Sequence, residues 1–276
     1  MSAAATLADL SAMVDRRAAG EPLEHVLGWA EFCGLRIAVD PGVFVPRRRT
    51  EFLVSQAITL ASQAAGQPRT VILDLCCGSG ALGAALAIAL GGVAGSGLAE
   101  GGVAGSGPAE GGVAGSGPAL GGVAGSGLAG HQVELYAADL DPVAVRCARR
   151  NVAAVGGQVY QGDLYEPLPA TLRGRAGILI ANAPYVPTDK VALLPPEARL
   201  HEPQVALDGG ADGLDILRRV AGQAPQWLAP GGHLLSETSE GQAPRLAEAA
   251  ARAGLIPRVA RSEELNATVV VATRPA

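Results

Sequence analysis

Apolar positions along this chain recur with two periods, and the alternation between them sets the first expectations. Thr70–Asp74 (TVILD) is a short apolar run of the kind a buried strand gives, and Ala81–Leu90 follows as a helix straight after a glycine turn. Val133–Ala138 reads as a second strand. Pro142–Val155 reads as a helix, with Asp141 placed to cap it, Pro142 at its first position and Gly156 ending it. Gln158–Gln161 and Gly177–Ala181 read as the third and fourth strands. A helix over Asp212–Leu228, stopped by Pro230 and Gly231, leads to a fifth strand at Gly232–Glu237. A helix over Gln242–Ala253, ended by Gly254, precedes a closing strand pair at Ile256–Arg261 and Thr268–Thr273. This order predicts an α/β fold with a mainly parallel, doubly wound sheet over residues 69–276. Residues 1–68 read as a short N-terminal helical segment leading into it.

One stretch breaks the pattern. Residues 91–130 are four tandem decapeptides, GGVAGSGLAE, GGVAGSGPAE, GGVAGSGPAL and GGVAGSGLAG, and hold 17 of the 38 glycines. Each unit offers one Val and an occasional Leu, too little apolar surface to offset the entropy of ordering glycine. The repeat therefore reads as a flexible, low-complexity insert.

Composition narrows the function classes. Of 276 residues, 49% are hydrophobic, so a sizeable core is available. A net charge of −5 supplies no overall basic field for nucleic acid or an anionic membrane. Cys33, Cys76, Cys77 and Cys147 form no CxxC pair, and the four histidines are scattered, so no metal site is expected. Met1 to Ala12 has no basic region before an apolar core, and no run of 18 or more purely apolar residues occurs. Reduced thiols in a cytoplasmic protein, away from membranes, are the expectation.

In a doubly wound sheet, ligands sit outside the carboxyl ends of the strands, and the chemistry-bearing residues fall there. After the first strand, Asp74-Leu75-Cys76-Cys77-Gly78-Ser79-Gly80 places small residues where the chain must turn sharply into a helix and approach a ligand closely. Gly78 to Gly83 also matches GxGxxG, a pattern that fits a dinucleotide equally well. After the second strand comes Ala138-Asp139-Leu140-Asp141, where a carboxylate can accept both hydroxyls of a ribose. Gly80 and Asp139 are 59 positions apart; without the 40-residue repeat the spacing is 19, near the ~20 expected of such a site. After the third strand, Asp163 and Leu164 are placed to meet an adenine edge. After the fourth, Asn182-Ala183-Pro184-Tyr185 brings an amide, a proline and an aromatic ring together. An amide nitrogen is a poor nucleophile because its lone pair is delocalised. The Asn182 side-chain oxygen and the Ala183 carbonyl could bind both of its N–H groups and aim the nitrogen at an electrophilic methyl, with the Tyr185 ring covering the planar group. Such positioning supplies up to ~7–11 kcal/mol of barrier reduction.

With these pieces in order, the chain resembles class I S-adenosylmethionine-dependent methyltransferases, and specifically the protein N5-glutamine methyltransferases that modify peptide-chain release factors or a ribosomal protein. Pro22-Leu23, Leu27-Gly28, Glu31-Phe32, Gly34-Leu35 and Val45-Pro46-Arg47 are similar to the family's lead-in. Ile72–Gly80 is similar to its cofactor loop, and Asn182–Tyr185 to its Asn-Pro-Pro-Tyr motif. Glu202-Pro203, Ala206-Leu207, Gly209-Gly210 and Asp212-Gly213-Leu214 are similar to the segment after that motif. The resemblance implies a Rossmann-like, seven-stranded sheet and S-adenosylmethionine as cofactor, bound by Asp74, Cys76, Gly78, Gly80, Asp139, Leu140, Asp163, Leu164 and Asn182. It implies Asn182, Ala183, Pro184 and Tyr185 around the target, and a protein bearing an exposed glutamine as partner.

The chain departs from the family at four places. Ala183 replaces the first proline of the motif, and Cys76 replaces the first glycine of the cofactor loop. The family's Pro-Arg-Pro-Glu-Thr-Glu reads Pro46-Arg47-Arg48-Arg49-Thr50-Glu51, and a run of three arginines is most often a solvated face. About 20 residues precede Pro22, where family members acting on release factors carry a helical domain of several dozen, so much of that docking surface is expected to be missing. The choice between a release factor and a ribosomal protein stays open. So do a nucleic-acid amino methyltransferase with a related motif, an NAD-binding oxidoreductase, and a binding module that kept the fold; direct nucleic-acid binding is not expected of so acidic a chain.

Overall fold

The computed structural model describes residues 7–63, 69–91 and 132–276. Apart from Gly91, the repeat read as a flexible insert lies outside the described residues. Helix α1 (Leu7–Ala18) and the short α2 (Leu23–Leu27) lead into a hairpin of β1 (Trp29–Phe32) and β2 (Leu35–Ala38), which the sequence did not announce. Helix α3 (Glu51–Gln63) follows. The main domain then runs β3 (Arg69–Leu75), α4 (Ala81–Gly91), β4 (Gln132–Asp139), α5 (Pro142–Val152), β5 (Gln158–Gln161) and β6 (Ala176–Ala181). Two short helices, α6 (Thr188–Val191) and α7 (Pro196–His201), precede α8 (Asp215–Trp227), β7 (Leu228–Thr238), α9 (Ala243–Arg252), β8 (Ile256–Ser262) and β9 (Ala267–Thr273).

The seven strands β3–β9 form one sheet in the order β5-β4-β3-β6-β7-β9-β8, parallel except where β9 runs antiparallel to both neighbours. The doubly wound expectation holds, with the order reversing at β3 and β6. Alternation along the strands makes two cores. Ile72, Ile178, Ile180, Leu235 and Val269 face α3, α4 and α5, while Val71, Leu73, Leu179, Leu234 and Val270 face α8 and α9. Leu53, Val54 and Ala57 of α3 belong to the first of these cores.

Boundaries shifted where tertiary pairing overrode local signals. Helix α8 starts at Asp215, not Asp212, because the Asp212 carboxylate accepts from Leu214 N–H at 3.2 Å and holds the turn before it. The following strand starts at Leu228, ahead of Pro230 and Gly231, because Leu228 already pairs with Ala176 across a bulge. The α-helical part of Pro142–Val155 ends at Val152 and continues as a 3₁₀ turn into Gly156, whose φ is 66°. Asp141 caps α5 as expected, accepting from Val143 N–H at 2.8 Å.

Gly91, at the end of α4, lies against the start of β4: a methyl on it would sit 3.4 Å from a Val133 methyl. The two points where the repeat leaves and rejoins the domain are therefore neighbours.

Candidate active site

The turns after β3, β4, β5 and β6 converge on one cleft beside the reversal point of the sheet. Cys76, Gly78, Asp139, Leu140, Asp163, Leu164, Asn182 and Pro184 all line it. A second cavity adjoins it, lined by Asn182, Ala183, Pro184 and Tyr185 together with Pro22, Arg47 and Arg49. Phe44, Asn182, Pro184 and Ala206 border both. Two residues expected at the cofactor line neither cavity. Asp74 is 1% exposed and accepts from Gly83 N–H at 2.9 Å, pinning the first turn of α4. Gly80 packs onto α5, where a methyl would come within 3.1 Å of Ala148.

Asp139 is oriented before any ligand arrives. Its Oδ2 accepts from Gly78 N–H at 2.8 Å and its Oδ1 from Asp141 N–H at 2.9 Å. Each oxygen keeps a lone pair for a further donor. Burial pushes the Asp139 carboxyl up, against the opposing pull of those backbone donors. Burial likewise raises Asp74, to about 7. Asp163 faces the cleft but shares its charge, since Arg219 Nη2 donates to its Oδ2 at 2.6 Å; the sequence reading did not include this arginine. These residues fit S-adenosylmethionine: a half-buried, aimed carboxylate for ribose hydroxyls, a second acid for an amino group, and Phe44, Leu140 and Leu164 for a flat ring.

Cys76 adopts φ 54°, a left-handed conformation that costs a non-glycine residue ~1–2 kcal/mol. Burial pushes its thiol well above the usual range, with Asp139 and Asp74 adding to the shift, so it stays protonated and packs as a small hydrophobe.

Among the described residues nothing hydrogen-bonds the Asn182 side-chain amide, although it stands at the junction of the two cavities. The loop carrying it is held from behind. Val186 N–H donates to Leu207 carbonyl and Gly209 N–H to Val186 carbonyl, at 3.2 and 2.8 Å. Gly213 lies so close that a methyl on it would come within 2.3 Å of the Tyr185 carbonyl. The Gly209–Leu214 motif is thus the wall against which Asn182–Tyr185 rests. Gln242 completes it, donating from Nε2 to the Tyr185 carbonyl at 2.8 Å.

The arginine run is not merely a solvated face. Arg47 pairs with Glu202, whose side chain is 1% exposed and also accepts from Val45 N–H. Arg49 pairs with Glu237, 2% exposed, and donates to the Tyr185 hydroxyl. Arg48 and Arg49 are both exposed, and it is Arg49 that turns its guanidinium onto a buried carboxylate. Both pairs strap the 44–49 strip across the cavities, with the Arg47 guanidinium 4.9 Å from the Phe44 ring centre. Phe44, Glu237 and Ile216 carry no signal in the sequence, whereas Ala206 belongs to the segment similar to the family's after the motif; for the strip itself only Val45-Pro46-Arg47 hints that it approaches the site.

Comparison with known proteins matches this sequence to one family. A protein named release factor glutamine methyltransferase from Geobacter sulfurreducens is 34% identical over 86% of this chain and 67% of its own length. Proteins of the same name from Streptomyces coelicolor and Mycolicibacterium smegmatis are 33% and 31% identical, covering 84% and 97% of this chain and 69% and 80% of theirs. The chain belongs to the release factor glutamine methyltransferase family. No general family model matches it. Two solved structures share the fold: a ribosomal protein L11 methylase from Lactobacillus delbrueckii subsp. bulgaricus (TM-score 0.50, 15% identity, 87% of this chain and 86% of that one) and a methyltransferase from Pyrococcus furiosus (TM-score 0.52, 14% identity, 96% and 100%). The sheet is that of the class I methyltransferases, and family membership replaces the dinucleotide reading of the glycine turn with S-adenosylmethionine. Among the described residues no helix is long and apolar enough to cross a membrane.

Proposed function

We propose that this protein methylates the side-chain amide nitrogen of a glutamine in a peptide-chain release factor, in the cytoplasm, with Asn182 and the Ala183 carbonyl orienting the amide. The observation that carries the reading is the unpartnered Asn182 amide at the junction of two cavities, one fitted to the cofactor and one open to a side chain. When bound, S-adenosylmethionine supplies an electrophilic methyl on a sulfonium sulfur. The Asn182 oxygen and the Ala183 carbonyl accept from the two amide hydrogens and turn the nitrogen lone pair toward the first cavity. Asp139 holds the ribose, and Asp163 with Leu164 meets the adenine. The methyl so supplied would pass to the oriented nitrogen, which would then release one amide proton to water. Tyr185 does not take that proton as a base: burial and the neighbouring Glu237 carboxylate push its hydroxyl up, so it stays protonated.

Family membership favours a protein acceptor over a nucleic-acid amine. The test is transfer of labelled methyl to a purified release factor from the same cell, beside a variant with its target glutamine replaced by glutamate and beside RNA and DNA. Label on the wild-type factor alone supports the reading. Label on nucleic acid, or on the glutamate variant equally, sinks it.

A further inference from the structure

Three side chains from distant parts of the sequence close a ring of hydrogen bonds at the rim of the second cavity. Arg49 Nε donates to Glu237 Oε1 at 2.9 Å, and Arg49 Nη2 donates to the Tyr185 hydroxyl at 2.7 Å. The Tyr185 hydroxyl in turn donates to the same Glu237 Oε1 at 2.8 Å. The hydroxyl therefore both accepts and donates, and its place is fixed. The ring is also held at its backbone end, by the Gln242 amide on the Tyr185 carbonyl. Glu237 is 2% exposed, and a lone carboxylate there would be costly, so Arg49 is what permits it. Burial works against the Arg49 charge, but Tyr185 and Glu237 outweigh it.

The other arginine strap differs in kind. Arg47 and Glu202 hydrogen-bond each other and the Val45 backbone, and among the described residues they make no hydrogen bond to the Asn182–Tyr185 loop. Arg49 and Tyr185 line the second cavity and not the cofactor cleft. The triad can thus act on the target amide without acting on cofactor binding.

We propose that Arg49 is a positioning residue for methyl transfer: acting through Tyr185 and backed by Glu237, it sets the aromatic ring against the target amide and makes docking of the 44–49 strip a condition for a competent amide cavity. The proposal rests on the glutamine-methylating reading above. Family resemblance pointed only to the Tyr185 ring; the contribution of its hydroxyl, of Arg49 and of Glu237 comes from the geometry.

The test is a double-mutant cycle in the full chain, with Arg49→Met, Tyr185→Phe and the pair. kcat and KM for a release factor are measured beside cofactor affinity by calorimetry and Tyr185 ring flipping by NMR on ring-labelled tyrosine. Each single change is expected to lower kcat about tenfold or more, the scale on which small misplacements act. Cofactor affinity stays within about twofold, and Tyr185 flips faster in Arg49→Met. The double variant is no slower than the slower single, because both break one link. Arg49→Lys recovers little, since an ammonium lacks the rigid fork that serves two acceptors. Tyr185→Phe keeps the Arg49–Glu237 pair and so stays informative if Arg49→Met folds poorly. An unchanged kcat in Tyr185→Phe, losses that multiply in the double variant, a loss confined to KM, or unaltered ring flipping would each overturn the proposal. A wild-type enzyme that labels no release factor, while ring flipping still responds to Arg49→Met, sinks the glutamine reading and leaves the clamp standing.

Discussion

The two walls of the site are built in different ways. The cofactor wall is made of short turns at strand ends that the sheet itself brings together: Asp139 is held by Asp141 two residues on, and by Gly78 in the turn after the neighbouring strand β3. The target wall is assembled over long distances in the chain. Arg47 meets Glu202 across 155 positions and Arg49 meets Glu237 across 188. One wall follows from the sheet itself, whereas the other exists only once the lead-in strip has docked.

Four changes test that contrast, beginning with the largest expected effect. Asn182→Ala removes the acceptor that belongs to both walls. It is expected to slow methyl transfer at least about a hundredfold, roughly 2.7 kcal/mol, the scale seen when one aimed polar group is lost from a transition state. Cofactor affinity should move much less; single-turnover assays with calorimetry check both, and an unslowed variant would return the loop to a simple strand end.

Asp139→Ala acts on the cofactor wall alone. Losing hydrogen bonds to a charged group costs about 1.5–3 kcal/mol, or roughly ten- to hundredfold in S-adenosylmethionine affinity. Calorimetry reads this directly, and an unchanged dissociation constant would remove Asp139 from the ribose.

Cys76→Gly relieves the left-handed strain and is expected to raise stability by about 1 kcal/mol, with cofactor affinity kept. Urea melts decide it, and a loss of stability would mean that packing of the sulfur outweighs the strain.

Excising residues 91–130 should change least. The adjoining ends of α4 and β4 need no long bridge, and each halving of loop length returns only ~0.6 kcal/mol. A collapse of the melting temperature or of cofactor binding would show that the repeat supports the fold.

The same contrast explains what the sequence made legible. The glycine turn, Asp139, Leu140, Asp163, Leu164 and Asn182 could be placed because each follows an apolar strand, and the sheet's topology gathers strand ends. Correcting the spacing for the repeat was enough to align Asp139 with the turn. Asp74 and Gly80 sit in the same segment, but one faces α4 and the other α5, and direction is not visible in spacing alone. Arg49, Glu237 and the Tyr185 hydroxyl were hidden because an ion pair between distant positions leaves no periodic trace. Three arginines in a row look like solvent until the carboxylates they reach are known to be buried. The β1–β2 hairpin leaves little trace because its strands are four residues each and its turn is Cys33-Gly34, with Cys33 at φ 51°, in place of the usual Asn-Gly.

The neighbouring positions of Gly91 and Val133 also bear on how this chain can change over generations. In a parallel sheet they lie at the pole opposite the strand ends that carry the chemistry. Tandem decapeptides are prone to gain and lose copies when the gene is replicated, and a junction at that pole lets their number vary without moving a single site residue. The same junction is a natural place to graft a reporter domain or to open new termini by circular permutation, with turnover left to report on the graft.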